Sequence, residues 1–175
     1  MGKLFGTDGI RGEANRHPMD AAMAFAVGQA VTHVLKKKGH TTRIIIGKDT
    51  RISGYMLESA LESGITSMGG APYLVGVLPT PGIAFMAESM RADAGIVISA
   101  SHNPYQDNGI KIFSGNGFKL SDAQEEEIEK LILGGRLPEM VPPPGEMGHA
   151  YRLTDVHGRY IVFLKNTFPR SLSME

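Results

Sequence analysis

The sequence predicts an α/β layer fold built on a mixed, largely parallel sheet. Three observations lead there. Segments of helical period alternate with short β-branched apolar runs along the first hundred residues, as in units that pack helices on a parallel sheet. The run AGIVIS (94–99) is followed by another apolar run, IKIF (110–113), with no helix between them, which predicts one antiparallel strand. Finally, 42% apolar and 21% charged residues over 175 positions suffice for an ordinary core.

The elements follow in order. Residues 20–38 read as an amphipathic helix, with Met23, Val27, Ala30, Val31 and Val34 on one face and Asp20 as its cap. Three lysines at 36–38 suit the negative end of the helix dipole, and Gly39 suits a left-handed stop. RIIIG (43–47) reads as a buried strand, and 53–68 as a second helix with Leu57, Ala60, Leu61, Gly64, Ile65 and Met68 inward. PYLVGV (72–77) is the next strand. Thr80-Pro81 reads as a cap with proline in the first turn of a helix reaching about residue 90. Asp107-Asn108-Gly109 is a tight-turn signal, and Ser121 with Gln124 forms a capping-box pattern for a helix to about residue 133. The Gly- and Pro-rich stretch GGRLPEMVPPPGEMG (134–148) reads as an extended linker. A last helix starts near Asp155, with Val156, Tyr160, Phe163 and Leu164 as its apolar stripe. That stripe has little chain left to pack on, so the sequence reads as cut just inside a second unit.

Composition narrows the chemistry. A formal net charge of +0 offers no bulk attraction to nucleic acid or an anionic membrane. With no cysteine there is no disulfide framework, thiol nucleophile or thiolate metal site. No leader pattern and no run of membrane-spanning length is present, which makes the cytoplasm the expected location.

Ser99, Ser101 and His102 follow the third apolar run directly, at the carboxyl end of a strand, where open α/β sheets tend to place their reactive groups. Asn103-Pro104 and Asp107-Asn108-Gly109 brace the loop at two bends. Taken singly, Ser-His-Asn-Pro is ordinarily a polar turn and nothing more. Two further features count against that reading. FGTDGIRG (5–12) sets glycines around Thr7, Asp8 and Arg11, a backbone able to approach a phosphate with a guanidinium beside it. Lys111 lies two residues beyond Gly109 and can return toward Ser101 as a point charge or proton carrier.

Other active-site patterns fit poorly. The Gly-x-Ser-x-Gly elbow of serine hydrolases is absent, and a histidine adjacent in sequence to the serine is not expected to reach its proton. His17, His33, His40, His149 and His157 show no paired zinc spacing, and the P-loop pattern does not occur.

Three stretches, GTDGIRG (6–12), GKDTRISG (47–54) and SASHNPYQDNGIKIF (99–113), resemble the α-D-phosphohexomutase superfamily, and within it the branch acting on glucosamine phosphates. The resemblance implies a three-layer α/β/α first domain over 1–137, a linker over 138–154 and the start of a truncated second domain over 155–175. It implies an enzyme interconverting glucosamine 6-phosphate and glucosamine 1-phosphate on the way to UDP-N-acetylglucosamine and cell-wall precursors. In such enzymes the serine matching Ser101 carries a phosphoryl group, gives it to the sugar phosphate and regains one from the bisphosphate intermediate. Glucosamine or glucose 1,6-bisphosphate is the implied activator.

Arg11, His102 and Lys111 match residues at the reacting end, Lys111 as general acid/base. Thr7, Asp8, Ser99, Asn103 and Asn108 are expected to support the loop and phosphate. The implied Mg²⁺ is held by the phosphate on Ser101 and by aspartates of a DGDxDR-type loop in the second domain. No such run exists here, and Asp8, Asp49, Asp93, Asp107 and Asp122 do not reproduce its spacing. The chain alone is therefore expected to bind metal weakly or not at all and to turn over negligibly. The expected partner is a small sugar phosphate, and self-association is expected where an apolar face is left uncovered. The alternatives are a phosphoglucomutase or phosphomannomutase, or a non-catalytic sugar-phosphate-binding module.

Overall fold

A computed structural model describes residues 4–169. Four of its strands come from the run of alternating elements. They are β2 (Arg43–Lys48), β3 (Ala71–Val77), β4 (Ala94–Ile98) and β5 (Asp107–Ser114), with β1 (Ile10–Glu13) and β6 (Tyr151–Arg152) at the two edges. The sheet order is β1-β5-β4-β2-β3-β6. β2 is parallel to both β3 and β4, and β6 is parallel to β3. β5 is antiparallel to both β4 and β1, and so is the one strand running against the rest.

The apolar runs are continuous because both faces of the sheet are covered. Ile44 and Ile46 of β2 point into the larger core, while Ile45 between them points into the smaller one. The larger core is closed by α1 (Ala21–Leu35), α2 (Ser53–Ser67) and α4 (Asp122–Leu133). The smaller is closed by α3 (Thr80–Ser89) and by the first turn of α5 (Val156–Thr167). Three layers result, as expected.

α1 and α2 touch through glycine. A Cβ on Gly28 would lie 2.6 Å from the Leu61 carbonyl oxygen, and one on Gly64 would run into the Phe25 carbonyl. Asp20 caps α1 by accepting from the Met23 amide at 2.8 Å, and Ser121 with Gln124 forms the complete capping box of α4.

Several expectations are corrected. α1 ends at Leu35, so the three lysines lie past the helix and Gly39 (φ +74°) shapes the following turn instead of the helix stop. The cap of α3 is Pro79, with no side-chain hydrogen bond, and Thr80 is already helical. Asp107-Asn108-Gly109 forms no turn; it is the first part of β5, paired with Glu13, Gly12 and Arg11 of β1, while pairing with β4 begins at Ile110. Pairing with β1, together with the Ser99 amide donating to the Gly109 carbonyl, outweighs the local turn preference there.

The 138–154 segment begins within a 3-10 turn at Leu137–Met140, contains another at Pro144–Glu146 and contributes β6 to the sheet. On α5, Val156 is buried, Phe163 stacks on Phe85 of α3 and Tyr160 meets the same ring at a tilt, whereas Ile161, Val162 and Leu164 are exposed. Residues 170–175 of the segment read as a second domain lie outside the described residues. Among the described residues no helix is long and apolar enough to cross a membrane.

Candidate active site

The loop 99–106 leaves the carboxyl end of β4 and returns as β5, so its tip stands beyond the edge of the parallel strands. Ser99 is buried at the loop's base, where its amide donates to the Gly109 carbonyl and its hydroxyl oxygen accepts from the Ser101 amide at 3.0 Å. Ser101 is exposed and adopts φ +58°, a left-handed conformation that costs a non-glycine residue about 1–3 kcal/mol. It persists only where neighbouring contacts dictate it.

The contacts that dictate it come chiefly from Arg51. Its guanidinium donates to the Ser101 carbonyl at 3.0 Å and the Asn103 carbonyl at 2.9 Å through one terminal nitrogen. Through the other it donates to the Pro104 carbonyl at 2.6 Å and the Asp107 carbonyl at 3.2 Å. Nε donates to Asp49 Oδ2 at 3.0 Å. The Asn103 amide side chain donates to Asp107 Oδ2, and buried Asn108 donates to the Ser53 hydroxyl at 2.8 Å while accepting from the Gly109 amide. Asn103 and Asn108 thus both make side-chain hydrogen bonds within or beside the loop. Arg51, Asp49 and Ser53 lie within GKDTRISG but were given no role from the sequence. The signal available was the position of that motif at the carboxyl end of β2, next to β4.

His102 corrects another expectation. Although adjacent in sequence, its Nδ1 lies 3.3 Å from the Ser101 hydroxyl, because the left-handed serine folds the two side chains toward each other. Both remain exposed.

A second cluster forms at β1. Thr7 and Asp8 occupy the tip of a tight turn closed by the Gly6 amide on the Gly9 carbonyl. Gly9 sits at φ +88° directly against the backbone of Ile110, where a Cβ could not fit. The Asp8 carboxylate receives Arg11 at 2.5 Å and Lys111 at 2.6 Å on the same oxygen, Oδ2. Burial alone would raise the Asp8 pKa, but the hydrogen bonds from Lys111 and Arg11 outweigh it and hold the carboxyl below its ordinary value. The structure thus unites Asp8, Arg11 and Lys111 in one group, and Ser99, Ser101, His102 and Asn103 in another. β5 connects the two, and among the described residues no hydrogen bond runs from Arg11 or Lys111 to Ser101.

The described residues include no group of three or more His, Asp or Glu able to hold a metal ion.

This geometry defines a displayed hydroxyl on a rigid loop, with a cationic pair one strand away. The chain belongs to the phosphoglucomutase/phosphomannomutase family, whose alpha/beta/alpha domain I matches residues 2–138. Among curated relatives, the phosphoglucosamine mutase of Syntrophobacter fumaroxidans is 82% identical across all of this chain, which corresponds to 39% of that protein. The phosphoglucosamine mutase of Syntrophus aciditrophicus is 64% identical over the same shares of the two chains. A solved phosphoglucomutase/phosphomannomutase family protein from Burkholderia thailandensis superposes with a TM-score of 0.80 at 25% identity, covering 97% of this chain and 36% of that one. The chain thus spans about two-fifths of the length of the curated relatives it matches.

Proposed function

We propose that this chain is the phosphoryl-carrying part of a longer phosphoglucosamine mutase, and that Ser101 Oγ is the carrier atom. The observation that carries this reading is the exposed Ser101 hydroxyl, held in a left-handed conformation at the carboxyl end of β4 by Ser99 and Arg51. The identity of 82% to a phosphoglucosamine mutase supports the sugar. A hydroxyl that must attack and leave a phosphorus atom needs this combination of access and fixed direction.

In the forward half-reaction the bond from phosphorus to Ser101 Oγ breaks and a bond to the free sugar hydroxyl forms. The sugar proton passes to a base, and a sugar bisphosphate results. In the return half-reaction the bond from the other phosphorus to its sugar oxygen breaks and a bond to Ser101 Oγ forms, while Oγ gives its proton to a base and the released sugar oxygen takes one up. His102, at 3.3 Å, is placed to exchange a proton with Oγ when it is unphosphorylated. Lys111 is the proposed acid/base toward the sugar, and Arg11 binds phosphate oxygens in place of its present contact with Asp8. Thr7 offers a hydroxyl at the same turn.

A seryl phosphate carries about −1.5 to −2 charges, and the Arg11–Lys111 pair supplies two opposite ones. In this reading Mg²⁺ would be held by the phosphate on Ser101 and by groups outside this chain, where it would stabilise the charge on the transferring phosphoryl group. The domain limits 1–137, 138–154 and 155–175 belong to the same reading, as do a cytoplasmic location and a sugar 1,6-bisphosphate activator. The exposed side of α5 is available for self-association in the isolated chain.

The test is intact mass on the full-length protein after treatment with glucose 1,6-bisphosphate, together with a glucosamine 6-phosphate turnover assay. Gain of one phosphate, abolished along with turnover by Ser101→Ala, is the expected outcome. Turnover of glucose or mannose phosphates in preference to glucosamine phosphate would shift the assignment to another branch of the family. Absence of any phosphate on Ser101 would leave a binding module.

A further inference from the structure

We infer that Arg51 is a positioning residue for phosphoryl transfer, setting the direction of the Ser101 hydroxyl by holding three carbonyl groups of its loop and that of Asp107 at the start of β5. The inference deepens the reading of Ser101 as the phosphoryl carrier and rests on it.

The argument begins with donor arithmetic. An arginine side chain has five N–H donors in a planar fork. Here five acceptors receive them: the carbonyls of Ser101, Asn103, Pro104 and Asp107, and Asp49 Oδ2. With its donors committed and its side chain only 11% exposed, Arg51 has none left for a phosphate oxygen. Its charge is also matched locally by Asp49, so what it contributes to the site is geometry rather than electrostatic attraction.

The acceptors span the loop from its first exposed residue to the start of β5. One terminal nitrogen takes the Ser101 and Asn103 end and the other the Pro104 and Asp107 end. A single rigid plane therefore fixes both halves relative to one another. Arg51 is itself anchored twice to Asp49, through Nε and through its amide at 3.0 Å, and the Asp49 amide donates to the Ile98 carbonyl at the end of β4. The loop is thus referred to the sheet through two residues of the neighbouring strand's exit.

Backbone direction follows from this hold. A peptide unit is planar and trans, so a Ser101 carbonyl aimed at Arg51 sends the His102 N–H the opposite way. The left-handed Ser101 and its 3.3 Å approach to His102 depend on that orientation. Lysine cannot reproduce it, because an ammonium offers three donors about one point and no planar fork.

The test uses the full-length enzyme carrying Arg51→Lys, and Arg51→Ala assayed with and without added guanidinium ion. Expected for Arg51→Lys are an unchanged KM for glucosamine 6-phosphate and a kcat lower by about 100-fold, the scale of a misplaced reacting group. Amide hydrogen exchange at residues 102–107 should quicken while that of α1 and β2 stays as in the wild type. Added guanidinium should restore part of the Arg51→Ala turnover, which a merely structural role would not predict. Should either arginine variant fail to fold, Asp49→Asn loosens the anchor and is expected to show the same kcat-only loss in smaller measure. A folded Arg51→Lys enzyme with wild-type kcat, or a loss confined to KM, overturns the inference. If Ser101→Ala is inactive in the same assay, that failure concerns Arg51 alone; if Ser101→Ala is active, the carrier reading itself has failed.

Discussion

Lys111 and Asp8 are joined across the pairing of β5 with the β1 arm, with Nζ 2.6 Å from Oδ2. The same carboxylate oxygen holds Arg11, so both cations proposed for the reacting end are occupied by an internal anion. A phosphate group must displace Asp8 to reach them. Asp8→Asn should therefore tighten inorganic phosphate binding to this chain. Because Asp8 is 55% exposed, the gain is on the scale of surface pairs, within about 1 kcal/mol, and it should shrink as salt is added. Titration followed by NMR of the Lys111 region checks this, and weaker binding by the variant would show Asp8 to be a ligand partner instead.

Lys111 is expected to act in the chemical step. Lys111→Ala in the full-length enzyme should lower kcat by roughly 100-fold or more, the usual yield of a positioned acid/base, with a smaller change in KM. Steady-state kinetics with glucosamine 6-phosphate decide it, and a change confined to KM would reduce Lys111 to a phosphate contact.

Asp93 links the turn after α1 to the sheet. Its buried carboxylate accepts from the Arg43 amide at 2.9 Å, from Lys37 at 3.1 Å and from His40 Nε2 at 2.8 Å. Burial alone would raise its pKa, but the Arg43 amide and the His40 and Lys37 side chains outweigh it and lower it. A lowered folded pKa means the unfolded chain binds more protons in acid. This stability is present above the ordinary carboxyl value, near pH 4, and is lost as pH falls through the folded value. Asp93→Asn should cost about 1 kcal/mol at neutral pH and flatten the acid limb of a stability-against-pH curve. An unchanged acid limb in urea titrations would assign the acid sensitivity elsewhere.

Gly64 sets how closely α2 approaches α1. Gly64→Ala forces a Cβ into the Phe25 carbonyl and should destabilise the fold by about 1–3 kcal/mol, read as a lower urea midpoint. Equal stability would mean that the two helices can separate without loss.

Much of the architecture was legible before folding was considered. The continuous apolar runs at β2 and β4 announced strands covered on both faces, the spacing in α1 and α2 announced their buried sides, and Asp20 and Ser121 announced where helices begin. These are local properties: the period of burial and the capping chemistry are written within a few residues of each other. Ser101 stands out in the same local way, at the exit of an apolar run, and Lys111 as the lysine two residues beyond Gly109.

Tertiary structure decided the rest. Arg51 looks like an ordinary loop cation until the order β4-β2 places its strand exit beside a loop some fifty residues later in the chain. Asp107 to Gly109 carry turn chemistry yet form a strand, because β1 pairs with all three and the Ser99 amide takes the Gly109 carbonyl. Asp8 meets Lys111 only because β1 adds to β5 antiparallel. Hydrogen-bond partners far apart in sequence depend on strand order and register, and no local periodicity encodes those.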